Sequence, residues 1–247
     1  MPFRMVCQPF SSYMTSIQAN LQAVKSRLVR ALQDSGRRAE DAVLMAVSKT
    51  WPAACVLEAV AAGQRAFGEN YVQEGVAKIA DVALPGLEWH FIGPLQSNKT
   101  RHVAEHFDWV HSVERLRIAQ RLSDQRGEAR PPLQVCVQVN VSGEESKSGV
   151  EPEHCAALAR AVACLPRLRL RGLMCIPEPV DDPERQRARF AMLRELRDEL
   201  VRDGIALDTL SMGMSDDLEL AIAEGSTMVR VGSAIFGARN ISGVHVG

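Results

Sequence analysis

The stretch VLMAVSKTWPAACVLEAVAAGQRAFGEN, residues 43–70, decides the fold. It opens on VLMAVS at 43–48, an apolar run of strand length. It continues through the amphipathic AACVLEAVAAG at 53–63 and returns to a second short run, RAFGEN, at 65–70. Strand, helix and strand in so little chain make a βαβ unit with two parallel strands. The alternation then repeats. EWHFIG (88–93), WVHSV (109–113), LQVCVQVNV (133–141), LRLRGLMCI (168–176), LDTLSMG (207–213) and TMVRVGSAIFG (227–237) read as strands. VQEGVAKIADVAL (72–84), ERLRIAQRLSDQ (114–125), CAALARAVACL (155–165) and the long run 184–204 read as helices between them. Eight strands separated by helices, with little chain left over, predict an α/β fold of one domain, a closed (β/α)8 TIM barrel. An open doubly wound sheet is the second choice. Ahead of the barrel, Ile17, Leu21, Val24, Leu28 and Leu32 mark an extra N-terminal helix, capped by Thr15 or Ser16 and stopped by Gly36. The chain divides on this reading into a ragged extension, 1–14, and a barrel, 15–247.

Composition narrows the function. The 247 residues carry 29 Lys and Arg against 30 Asp and Glu, a net charge of -1, which offers no basic field to a nucleic acid. No apolar run of about 18 residues exists to cross a bilayer, and the first fourteen residues, MPFRMVCQPFSSYM, lack a continuous apolar signal core. Six cysteines (Cys7, Cys55, Cys136, Cys155, Cys164, Cys175) are scattered without a C-x-x-C pair, as expected of reduced thiols in the cytoplasm.

In a barrel of this kind the site lies where the strands end. The first strand delivers Lys49 in register with Val43, Met45 and Val47, so a lysine points into the mouth. It reads either as a solvated rim lysine or as an amine that attacks an aldehyde. At the ends of strands seven and eight stand Gly213, Ser215, Gly232 and Ser233. Two such loops side by side suggest a phosphate cup; singly, the glycines are tight turns and Ser215 a helix cap. Arg230 shares parity with Gly232 and should lie just below that cup. It needs a partner there, either Glu69 or a ligand such as the ring nitrogen of pyridoxal phosphate. An arginine in that position keeps the ring nitrogen unprotonated, which weakens carbanion chemistry.

These residues belong to a set of ordered motifs. AVSKT around Lys49, FGENYVQE (67–74), WHFIGPLQSNK (89–99), SKSG (146–149), GLM (172–174), MGMSDD (212–217) and VRVGSAIFG (229–237) closely resemble the pyridoxal phosphate homeostasis protein family over roughly residues 15–240. That family is similar to the barrel domain of alanine racemase standing by itself. The resemblance implies that pyridoxal 5'-phosphate is bound as a Schiff base on Lys49, with Arg230 facing the ring nitrogen. It implies that Ser215, Gly232 and Ser233 hold the phosphate, that Asn70 and His90 lie beside the cofactor, and that Met212 is a lesser wall residue. It also implies a monomeric carrier or regulator of vitamin B6 and not a catalyst, with amino acids and pyridoxal phosphate-dependent apoenzymes as further partners. Ten residues follow Gly237, too few for the second domain with which racemases supply another base, and Tyr71 is the one phenol near the site. A racemase-like enzyme is the alternative, and a phosphosugar-binding barrel the third reading.

Other motifs are weaker. His102, Glu105 and His106 spell H-x-x-E-H but fall on a helix away from the mouth, which argues against zinc. GEESKS (143–148) lacks the glycine before lysine of a P-loop, and Lys147 is expected in a mobile loop at the mouth. His111 reads as a mouth-lining or core histidine, and RLRLR (167–171) as a basic rim at the barrel bottom.

Overall fold

Alternation along each strand gives the sheet two faces, and both must be buried when helices cover a closed sheet. A computed structural model describes residues 11–143 and 148–237. Strands β1 (Val43–Val47), β2 (Ala66–Glu69), β3 (Glu88–Phe91), β4 (Trp109–Val113), β5 (Leu133–Gln138), β6 (Leu168–Met174), β7 (Thr209–Ser211) and β8 (Met228–Val231) pair in parallel in chain order, and β8 closes on β1. Helix α1 (Ser11–Asp34) precedes them. Helices α2 (Ala53–Ala61), α3 (Val72–Val82), α4 (Thr100–His106), α5 (Leu116–Gln125), α6 (Pro152–Ala163), α7 (Pro183–Arg202), α8 (Leu218–Ala223) and α9 (Ser233–Phe236) each follow a strand. The expected barrel is present, and the open sheet is not.

The outward residues Leu44, Ala46, Phe67, Phe91, Val135, Leu210 and Val229 join helix residues such as Val56, Ile118 and Leu193 in the main core. Burying a side chain of this size contributes about 1.5–3 kcal/mol, so this layer carries most of the stability. Inside the barrel, Met45, Val47, Ile92 and Met228 form one small cluster and Trp109, Cys136 and Met174 another. Between β5 and β6 the register jumps from Val135↔Leu170 to Cys136↔Gly172, an extra residue at Arg171. Leu170 and Leu173 therefore both face the helices, and the Arg171 guanidinium lies 4.9 Å from the Trp109 ring centroid. A Cβ on Gly172 would stand 1.7 Å from the Thr209 carbonyl oxygen, so only glycine lets β6 approach β7 there.

Helix α1 starts at Ser11, before the expected cap, so Thr15 and Ser16 lie within it. No Gly or Pro interrupts the chain from Ser11 to Asp34. Its buried stripe is the one read from sequence, and it ends before Gly36 at φ 67°. Asn20 Nδ2 donates to the Ile235 carbonyl at 3.1 Å, and Arg27 donates to the Ser215 carbonyl at 2.5 Å and pairs with Glu219. The added helix thus braces α8, α9 and the loop between β7 and α8. Residues 1–10, Lys147 and the rest of 144–147, and 238–247 lie outside the described residues, so the expectations placed on them rest on sequence.

Candidate functional site

Lys49 continues the inward parity of Met45 and Val47 and stands half-buried at the mouth, two residues beyond β1. The backbone on both sides of it is pinned by charge. Lys78 Nζ, from α3, donates to the Ser48 carbonyl at 2.7 Å, to Glu69 Oε1 at 2.6 Å and to Glu74 Oε1 at 2.9 Å. Ser48 Oγ donates to Glu69 Oε1 at 2.6 Å, and the Thr50 amide to Glu74 Oε1 at 2.5 Å. Thr50 has φ 68°, a left-handed conformation that costs a β-branched residue energy, and the Glu74 carboxylate helps to hold it. Burial pushes the Glu69 carboxyl upward in pKa, against the pull of Lys78 and Ser48. The Glu74–Lys78 spacing of four is legible in sequence, but the link back to Glu69 and Ser48 is not.

Asn70 follows β2 at the same end. A Cβ on Gly93 would fall 2.2 Å from the Asn70 carbonyl oxygen, so the loop after β3 presses on its backbone. The Asn70 Oδ1 atom is buried and accepts no hydrogen bond, a cost that a ligand donor or water would relieve.

Across the mouth, Ser215 Oγ and Ser233 Oγ are 3.4 Å apart. The residue capping α8 is Asp217 and not Ser215, and its Oδ1 accepts from the Met214 amide at 2.6 Å. Ser215 sits two residues earlier, which leaves its hydroxyl to face Ser233. Gly213 has φ 95° and its missing Cβ would lie 2.5 Å from Ala221 Cβ. At Gly232 a Cβ would lie 3.2 Å from the Val47 carbonyl oxygen, tight against the end of the strand that carries Lys49.

Arg230 is buried within the barrel beside Met45. NH1 donates to the Ser211 carbonyl at 2.6 Å and to Ser211 Oγ at 2.8 Å, and NH2 to the Cys175 carbonyl at 2.7 Å. Glu69, the alternative partner, is engaged by Lys78 and Ser48. Burial lowers the Arg230 pKa, but a guanidinium in a protein keeps its proton.

Two expected site residues lie elsewhere. His90 is the third residue of β3, fully buried inside the barrel and below the mouth, stacked on Trp109 with centroids 5.3 Å apart. Met212, expected in the wall, follows the inward Ser211. Strand alternation turns its side chain outward, into the core between sheet and helices. His111 is a core histidine, and Tyr71 precedes α3 with 55% of its surface exposed. His102 is exposed on α4, and no group of three His, Cys, Asp or Glu among the described residues is arranged to hold a metal. The basic rim at 167–171 lies at the start of β6, where Arg171 pairs with Asp208.

Lys49, Asn70, Ser215, Arg230, Gly232 and Ser233 thus meet on four neighbouring strands, β7, β8, β1 and β2, at or just below the mouth. The alanine racemase N-terminal domain family matches residues 16–240. A pyridoxal phosphate homeostasis protein of Pseudomonas aeruginosa is 61% identical over 227 residues, 92% of this chain and 97% of that one. The chain belongs to the pyridoxal phosphate homeostasis protein family. Its Escherichia coli K12 relative of the same name is 55% identical, covering 93% of this chain and 99% of that one. PipY of Synechococcus elongatus PCC7942, solved with PLP bound, is 41% identical with a TM-score of 0.79, covering 90% of this chain and all of that one. Alanine racemase from Corynebacterium glutamicum shares the fold at 18% identity and a TM-score of 0.70, and this family member spans 64% of its length.

Proposed function

We propose that this chain binds pyridoxal 5'-phosphate covalently through Lys49 and serves intracellular vitamin B6 homeostasis as a carrier or regulator, without turnover. The observation that carries the proposal is the meeting of an amine, a guanidinium and a paired-serine cup on three adjacent strands, β7, β8 and β1. These match the aldehyde, ring nitrogen and phosphate of one molecule. Its relative PipY, solved with PLP bound, supports the reading.

The residues present fit the group. The unpaired Asn70 Oδ1 awaits a donor at the mouth. Ser215, Ser233 and the close-packed Gly232 backbone offer donors to a phosphate, which carries about -1.5 to -2 charge. Lys49 would supply the amine that holds the aldehyde carbon, the aldehyde oxygen leaving as water. When bound, the cofactor supplies an electron-withdrawing ring. Arg230, already hydrogen-bonded to Ser211 and Cys175, would offer a remaining donor to the ring nitrogen and would not give up a proton to it. Amino acids and pyridoxal phosphate-dependent apoenzymes are the partners this role implies, in the cytoplasm and from a monomer. Among the described residues no helix is long and apolar enough to cross a membrane.

The test is the absorption spectrum of purified protein mixed with pyridoxal phosphate. A visible imine band, present in the native protein, lost in Lys49→Ala and weaker with unphosphorylated pyridoxal, is expected. Equal binding of both vitamers would remove the phosphate cup. Sustained racemisation of alanine would replace the carrier reading with the enzymatic one.

A further inference from the structure

A line of buried polar groups runs from Arg230 down through the barrel. Ser211 Oγ receives Arg230 NH1 at 2.8 Å and stands 2.9 Å from His111 Nδ1. His111 Nε2 is 3.0 Å from His90 Nδ1. His90 Nε2 makes no hydrogen bond but lies 3.8 Å from Glu88 Oε2, at the start of β3. Ser211 and both histidines are fully buried, whereas the Glu88 side chain is 58% exposed at the barrel bottom. The line therefore joins the cofactor end of the barrel to its opposite face.

Its two ends fix its direction. Arg230 can only donate, and an ionised Glu88 can only accept. Burial lowers the pKa of both histidines, His111 well below its ordinary 6.5 with further help from His90 and Arg230. Each ring is then neutral, with one N–H and one bare nitrogen. A bare His90 Nε2 would set a lone pair against the carboxylate, so the proton belongs there, and Glu88 is in turn held low in pKa by His90. His90 Nδ1 then accepts from His111 Nε2–H, and His111 Nδ1 accepts from the Ser211 hydroxyl. That hydroxyl oxygen accepts the hydrogen bond from Arg230 NH1, and every group in the line is consistent. The reverse orientation leaves an acceptor facing an acceptor at Glu88. Two other charges act on that end from a distance: Asp108, whose Oδ2 accepts from the Trp89 amide at 2.9 Å, on His90, and Arg171, paired with Asp208 at 2.7 Å, on Glu88.

We infer that Glu88, His90, His111 and Ser211 are positioning residues that act through Arg230: a directed hydrogen-bond line from Arg230 to His90, oriented at its far end by the charge of the Glu88 carboxylate, that sets how the guanidinium is presented to the ring nitrogen. Neutral, directed bonds of this kind polarise one another in a low-dielectric interior. Ser211 is no nucleophile, because its buried oxygen already serves Arg230. The consequence for the cofactor rests on the proposed function; the line itself does not.

The first test therefore needs no cofactor. Long-range 1H–15N spectra of histidine-labelled protein, assigned with His90→Gln and His111→Gln, should show both rings protonated on Nε2 alone. A proton on Nδ1 of either ring overturns the direction. In Glu88→Ala, a surface change, His111 should become a mixture of tautomers although it does not touch residue 88. An unchanged His111 removes Glu88 from the line. In protein loaded with 15N-pyridoxal phosphate, Glu88→Ala should move the ring-nitrogen resonance and Asp208→Asn should leave it in place. No movement with Glu88→Ala, in protein that does bind the cofactor, refutes the coupling while leaving the binding site intact.

Discussion

The two sides of the barrel mouth are built from different materials. On the β1–β2 side the backbone around Lys49 is fixed by buried charge, with Lys78 at 4% exposure gripping Glu69 at 0%. On the β7–β8 side the two serines are set by glycines and backbone bonds, with Gly232 packed against Val47 and Ser215 braced by Arg27. On the proposed function, the difference follows from what each side would handle. A covalent amine must be held at one position, and buried ion pairs have defined geometry but a heavy desolvation cost. A phosphate needs several donors at close range, and glycine exposes them without adding charge.

Removing one charge should break the first side most severely. Lys78→Met leaves Glu69 buried without its cation, and an unfolding free energy lower by about 3–5 kcal/mol is expected from urea titration. A loss below about 1 kcal/mol would mean that the cluster does not hold the β1 end. The second side should respond through space. Gly232→Val must displace the Val47 backbone and blocks amide approach, together roughly 3 kcal/mol or more, so pyridoxal phosphate affinity should fall more than 100-fold. Ser233→Ala deletes one donor while Ser215 remains, and about tenfold is expected. If the serine change proves the costlier, the hydroxyls and not the amides form the cup.

The barrel interior gives a smaller, pH-dependent effect. His90 and His111 have pKa values lowered in the fold by burial, so below about pH 6.5 the unfolded chain takes up protons that the folded one refuses. Stability is therefore full above that pH and declines as pH falls, by at most about 1.4 kcal/mol per unit for each histidine. His111→Gln should flatten the decline between pH 6.5 and 5. An unchanged slope would show that His111 protonates freely in the native protein.

The sequence carried the barrel well because each strand was an apolar run bounded by polar loops, and the helix periods between them were unambiguous. It also carried Lys49 and Arg230, whose positions follow from parity along one strand. Three features depended on what strand periodicity does not encode. The turn before α8 is capped by Asp217, which competes with Ser215 for the same role two residues away. The outward turn of Met212 follows from Ser211 facing inward, and a short strand among Ser, Met and Gly does not declare which face is which. The Lys78 cluster and the line from Arg230 to Glu88 join residues on different strands and helices. The His111–Ser211 contact spans 100 positions in the chain, and such pairs emerge only when the barrel closes.

The central claim is that Lys49 is the cofactor's anchor. Borohydride reduction of protein loaded with pyridoxal phosphate, followed by peptide mapping, tests it most directly. The phosphopyridoxyl mass is expected on the peptide containing Lys49 and absent from the Lys49→Ala protein. The same mass on Lys78, Lys99 or Lys147, at comparable occupancy in both proteins, would contradict the account.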